Sequence, residues 1–168
     1  SVGETYDKVA RMLGFGMPGG PAIDKAAKLG QPIHKFPTPM KNEGYEFSFS
    51  GLKSSIARFL EQNPDAETND IAASFVKSCL AVLEAKLARA LAAYEPKSLV
   101  LVGGVAASPQ VRDMVQYLCS QSGVQACLPS LKWATDNGAM IAMAAWDKID
   151  APLEADFTVV PNLPLNQL

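Results

Sequence analysis

The longest run of helical periodicity decides what the rest of the chain must do. From Asp70 to Tyr94, the residues Ile71, Phe75, Cys79, Val82, Leu83, Leu87, Ala90 and Leu91 recur at three- and four-residue steps, and Asn69 or Asp70 is placed to cap the start. A helix of that length with one apolar face needs a second layer to cover it. The chain supplies one immediately downstream. Pro96 breaks the helix, Ser98 to Val102 predicts a buried strand closed by Gly103-Gly104, and Ser108-Pro109 opens a helix carrying Val111, Val115 and Leu118. Val124 to Leu128 predicts another strand, stopped by Pro129. This order is α/β, and in such folds ligands bind where strands give way to helices.

Upstream, Tyr6, Val9, Ala10 and Leu13 mark the apolar face of a helix from Gly3, ended by Gly14 and Gly16. The loop Met17-Pro18-Gly19-Gly20-Pro21 leads into a short helix with Ile23, Ala26 and Ala27, Pro21 suiting its first turn and Gly30 its end. Three prolines and scattered charges then deny any period, so 31–46 is expected as an exposed excursion. Tyr45, Phe47 and Phe49 alternate with polar residues as a strand would, and Leu52, Ile56, Phe59 and Leu60 resume a helical spacing after the Ser50-Gly51 junction. Near the other end, Ala139 to Trp146 is almost wholly apolar and predicts a buried helix behind the turn Thr135-Asp136-Asn137-Gly138.

With 168 residues, 48% apolar and 19% charged, the chain has material for one ordinary core and is excluded from the disordered class. No apolar run approaches the roughly 18 residues of a membrane span, and no basic-then-apolar leader stands at the amino end, so no membrane partner is expected. The chain opens at Ser1 without an initiator Met and runs straight into a helical pattern, which reads as a fragment of a longer protein. Cys79, Cys119 and Cys127 lack CxxC spacing and only His34 could join them at a metal, so buried thiols in a reducing compartment are expected rather than a disulfide framework or zinc site. Charge is uneven. Lys25, Lys28, Lys35, Lys41, Lys53 and Arg58 face only Glu43 and Glu46 between positions 25 and 58, either a solvated face or a phosphate-attracting one.

Three constellations can carry chemistry. Gly103-Gly104 at a strand end lets backbone N–H groups approach a phosphate or ribose, with the next helix's amino end adding partial positive charge; a strained packing turn is the alternative. Asp136 is a helix cap or a hard oxygen ligand for a divalent cation. Asp7 and Pro18-Gly19-Gly20 read locally as a solvated carboxylate and a turn.

Taken together, Gly3-Glu4-Thr5-Tyr6-Asp7-Lys8-Val9-Ala10, Leu13 to Pro21, Phe47 to Lys53, Gly103 to Ala107 and Thr135 to Ala142 resemble the successive motifs of the TsaD family. That family, once labelled O-sialoglycoprotein endopeptidase, makes threonylcarbamoyladenosine in tRNA. The likeness covers essentially the whole chain but only the carboxyl half of the family's usual length. It implies the actin-like ATPase fold of sugar kinases and Hsp70, with residues 1–168 as the carboxyl-terminal domain of a two-domain protein. By motif, Asp7 and Gly20 would hold the ribose or adenine of threonylcarbamoyl-AMP, Gly103 and Gly104 would line the nucleotide pocket, and Asp136 would bind one divalent metal ion, iron or zinc in the family. The other metal ligands, two histidines, lie upstream in the family, and His34 matches neither. Ser108 stands where the family usually has Asn, which halves the hydrogen-bonding groups offered to the nucleotide. Ala134 replaces a frequent Cys, and the tail from Pro161 to Leu165 lacks a usual Arg-Trp.

The implied activity is transfer of the threonylcarbamoyl group to the adenosine beside the tRNA anticodon, a reaction that needs no nucleophilic Ser, Cys or His. Implied partners are tRNA, the missing amino-terminal half and accessory proteins of the TsaB and TsaE type, in a cytoplasm or a mitochondrion. A non-catalytic actin-like scaffold, or another actin-like carbamoyltransferase or kinase, is the competing expectation.

Overall fold

The computed structural model describes residues 1–146 and 149–150. They divide into two units, Ser1–Asp136 and a second that begins at Asn137.

In the first unit, everything is built on the long helix. This helix, Thr68–Tyr94, is the fourth in chain order, after α1 (Val2–Met12), α2 (Gly19–Leu29) and α3 (Ser50–Gln62). As α4 it buries Ile71, Phe75, Cys79 and Val82 against Val9, Ile23, Leu52 and Ile56 of the first three helices. Tyr6 meets Phe75 edge-on at 4.8 Å between ring centroids, a favoured aromatic geometry. Neither Asn69 nor Asp70 caps α4, which starts at Thr68; the Asp70 carboxylate instead accepts the Gln31 N–H at 2.7 Å. α2 starts at Gly19, two residues before Pro21, because Asp7 supplies a partner for the Gly19 N–H.

The carboxyl half of α4 packs on a β-α-β unit: β1 (Ser98–Val100), α5 (Pro109–Ser122) and β2 (Gln125–Cys127). With a helix between them the strands run parallel, Ser98 opposite Gln125 and Val100 opposite Cys127. Leu99 and Leu101 pack with Leu83, Leu87, Val111 and Val115. The expected buried strand is corrected here, since Val100 and Val102 are 63% and 70% exposed. Helices cover one sheet face only among the described residues, so alternate side chains meet solvent.

The strand expected over Tyr45 to Ser50 does not form. Its aromatic residues find ring partners instead, Tyr45 on Tyr94 and Phe47 on Phe49, and no neighbouring strand stands there among the described residues to complete a ladder. Segment 31–46 holds no helix or strand but is tied to α4. Ser74 Oγ accepts the His34 N–H, Ser78 Oγ donates to Phe36 O, and the Lys86 ammonium donates to Glu43 O at 2.6 Å.

The second unit contributes α6 (Gly138–Trp146), whose first turn is capped by Asn137 Oδ1 accepting the Met140 N–H. The expected burial of this helix is also corrected: Ile141, Met143 and Trp146 are 73%, 66% and 66% exposed. A helix apolar on every side needs cover all round, which the described residues do not give. Among them, no helix is long and apolar enough to cross a membrane. All three cysteines are free, Cys79 and Cys119 buried.

Candidate functional site

Asp7 sits on α1, and its Oδ1 accepts the Gly19 N–H at 2.9 Å, at the amino end of α2. The contact requires the two helices to meet closely. A Cβ on Gly19 would lie 2.7 Å from the Asp7 Cα, so only glycine fits. Gly20, next along, has no atom within 4 Å of where a Cβ would stand. It faces a cavity of about 740 Å³, a volume suited to a nucleotide-sized ligand.

One wall of this cavity is α1, with Gly3, Tyr6 and Asp7; another is α2, with Gly20, Asp24, Lys25 and Lys28. A third is the 3₁₀ turn Gly104–Ala107 that follows β1, and Thr135 closes the rim. The strand-to-helix junction and the helix that begins at Gly19 therefore meet across one space, although more than eighty positions separate them in sequence.

Gly103 does not line the cavity; it turns the chain into the 3₁₀ helix with φ 88° and ψ 173°, a conformation essentially reserved for glycine. Gly104 does line it, with open space at its Cβ position. Ser108 precedes Pro109 at the start of α5 but makes no capping hydrogen bond with its side chain. Its hydroxyl, buried at the cavity, donates to Gln110 Oε1 at 3.3 Å. Asp136 is exposed and leaves the capping of α6 to Asn137.

The residue that sequence reasoning missed is Asp24. It is 8% exposed, and its Oδ1 is buried without a hydrogen-bond partner. Burial pushes its carboxyl above the usual carboxylate range, while the Ser108 hydroxyl and the Lys28 ammonium pull it back. The hydroxyl of Tyr6 is likewise buried and unpartnered, and burial, with Cys79 and Asp24 nearby, raises it well above a free tyrosine. An orphaned acceptor that deep is costly unless a ligand serves it. The available signal was spacing: Asp24 follows Gly20 by four residues and so shares its helix face.

Among the described residues no cysteine or histidine lines the cavity. His34 lies instead against Phe59, at 4.6 Å between ring centroids. Among the described residues no group of three or more His, Cys, Asp or Glu side chains could hold a metal ion. The donors present offer one exposed carboxylate, Asp136, and do not by themselves fit a metal.

Comparison with known proteins adds an independent line. Residues 1–143 match the family model described as TsaD, tRNA N6-adenosine threonylcarbamoyltransferase. Proteins named tRNA N6-adenosine threonylcarbamoyltransferase from Kosmotoga olearia and Carboxydothermus hydrogenoformans are similar to this chain, at 39% and 44% identity over 100% and 88% of it. One of the same name from Bifidobacterium adolescentis is 38% identical over 100% of the chain. The chain spans about half the length of these curated relatives: 52%, 45% and 52%.

Proposed function

Because this chain belongs to the TsaD family, we propose that it is the nucleotide-holding half of a tRNA threonylcarbamoyltransferase of actin-like fold. The substrate would be threonylcarbamoyl-AMP. The exocyclic amine of a tRNA adenosine attacks the carbamoyl carbon; the new N–C bond forms, the bond from that carbon to the phosphate oxygen breaks, AMP leaves and the amine gives up a proton. That chemistry asks for positioning and charge complementarity, not for a protein nucleophile, in keeping with a cavity lined by neither Cys nor His.

The observation that carries the proposal is Asp24: a buried, unpartnered carboxylate oxygen at a cavity that Asp7 shares. Two carboxylates on adjoining helices suit the paired hydroxyls of a ribose, each of which can donate one hydrogen bond. Gly104 presents main chain without a Cβ to the same space, and Lys25 and Lys28 bring positive charge to its edge. Asp136 would serve a metal only with ligands from beyond the described residues, and no step is routed through one. A cytoplasmic or mitochondrial setting with tRNA and TsaB- and TsaE-type partners belongs to the same proposal.

A scaffold that had lost its nucleotide as well as its turnover would leave the Asp24 acceptor unused. Calorimetry with AMP on the full-length protein tests the point. Asp24→Asn should weaken binding about tenfold to a hundredfold, the worth of a charged hydrogen bond. Unchanged affinity with an intact fold would overturn the assignment.

A further inference from the structure

We infer that Arg112 is a positioning residue that fixes the glycine-lined wall of the cavity relative to its Thr135 rim, an inference that rests on the proposed nucleotide site. Its guanidinium spans two loops. Nη1 donates to Ala106 O and Nη2 to Pro129 O, each at 2.9 Å. Ala106 is the fully buried centre of the 3₁₀ turn whose Gly104, Val105 and Ala107 line the cavity. Pro129 leaves β2 and leads through the turn Leu131–Trp133 and the buried Ala134 to Thr135, on the rim.

The need for such a strut follows from the topology. The two strands are joined up to the bond from Leu101 N to Cys127 O; the chains beyond then run to different parts of the cavity. Arg112 spans the two where the strand bonding stops. A guanidinium is suited to this, because its planar fork holds two acceptors at a set separation, whereas an ammonium acts as a point charge. No carboxylate pairs with Arg112 among the described residues, so its charge serves the two carbonyls. The side chain touches no cavity space itself and would act only through the loops that it joins.

The test uses the full-length protein with its partners, measuring AMP affinity, kcat and KM for Arg112→Ala and Arg112→Lys beside wild type and Asp24→Asn. Arg112→Ala should lower kcat roughly tenfold to a hundredfold, the scale that a misplacement of about 1 Å costs, and added guanidinium ion should restore part of it. Arg112→Lys should keep the wild-type melting temperature and still lose kcat. It decides the matter if the alanine variant does not fold. Wild-type kcat and KM in a folded Arg112→Lys, or no rescue of a folded Arg112→Ala by guanidinium, would overturn the inference. Failure of the underlying site looks different: wild type and Asp24→Asn would then bind AMP equally poorly.

Discussion

Adjacent glycines at 19 and 20 serve opposite ends, and single methyl groups can separate them. At Gly19 a Cβ would press on the Asp7 backbone and on the Ala10 methyl at 2.8 Å, so Gly19→Ala must push α1 from α2. Overpacking of that kind costs about 1 to 3 kcal/mol. Gly20→Ala meets nothing in the protein and should leave the melting temperature unchanged or slightly raised, as an unstrained Gly→Ala in a helix does, while weakening AMP binding, because the methyl enters ligand space. The reverse pattern, with Gly19→Ala neutral and Gly20→Ala destabilising, would remove the distinction. Asp24 carries a further signature. Its native carboxyl is raised by burial, so the native state holds the proton more tightly than the unfolded chain does. The stability it contributes is therefore greatest below the ordinary carboxylate value and declines as pH rises through the interval up to the native one. Asp24→Asn should abolish that decline and unfold at a higher denaturant midpoint at neutral pH; identical pH profiles for the two proteins would refute it. The sequence showed Asp7 and Gly20 through a family resemblance, but Asp24 looked like any helical carboxylate. Its surroundings, Tyr6 of α1 and Ser108 far along the chain, come together only in the fold.

Among the elements, α4 shows what periodicity can and cannot disclose. Its apolar face was legible because the three- and four-residue recurrence is a property of the helix alone. Its second face was not. Asp70, Ser74, Ser78, Lys86 and Arg89 look like a solvated stripe, yet each bonds main chain of the segment between Gln31 and Gly44. Lys86 is 2% exposed, with its ammonium on two carbonyls and 5.5 Å from the centre of the Phe47 ring. Lys86→Met keeps the apolar stem but takes the ammonium from Glu43 O, leaving Gly44 O to Arg89, which costs about 1 to 3 kcal/mol. Trypsin should then cleave after Lys41 faster than in wild type, with chemical unfolding reporting the lost stability. Resistance equal to wild type would mean that Arg89, bonded to Gly44 O and Lys41 O, holds the segment unaided. The missing strand over Tyr45 to Ser50 has the same lesson in reverse: an alternating pattern needs a neighbour to pair with, and sequence cannot show whether one is there.

For the molecule as a whole, the α/β order was readable, because helices and strands differ in period; the extent of burial was not, because it depends on what packs against each face. Val100, Val102 and the apolar residues of α6 read as interior and are exposed among the described residues. Charge distribution follows the same division. Of the six basic residues between positions 25 and 58, Lys53 lies 3.7 Å from Glu4, which also binds Lys8, while Lys25 and Lys28 border the cavity. Arg58, on α3, has no ion pair among the described residues, and neither have Lys35 and Lys41, which stand on a segment that α4 holds in place. Charges on a tethered loop lose little further freedom on binding, so under the proposed activity this is where a tRNA backbone would gain most. Replacing both lysines with glutamine should weaken tRNA binding and flatten its dependence on salt. Each phosphate contact removed lowers the slope of log K against log salt by about 0.7 on single strands and about 0.9 on duplex, through the counterions no longer released. AMP affinity should not change, since neither side chain lines the cavity. A double variant with the wild-type salt slope would leave the basic segment as a solvated face and move the search for the tRNA surface elsewhere.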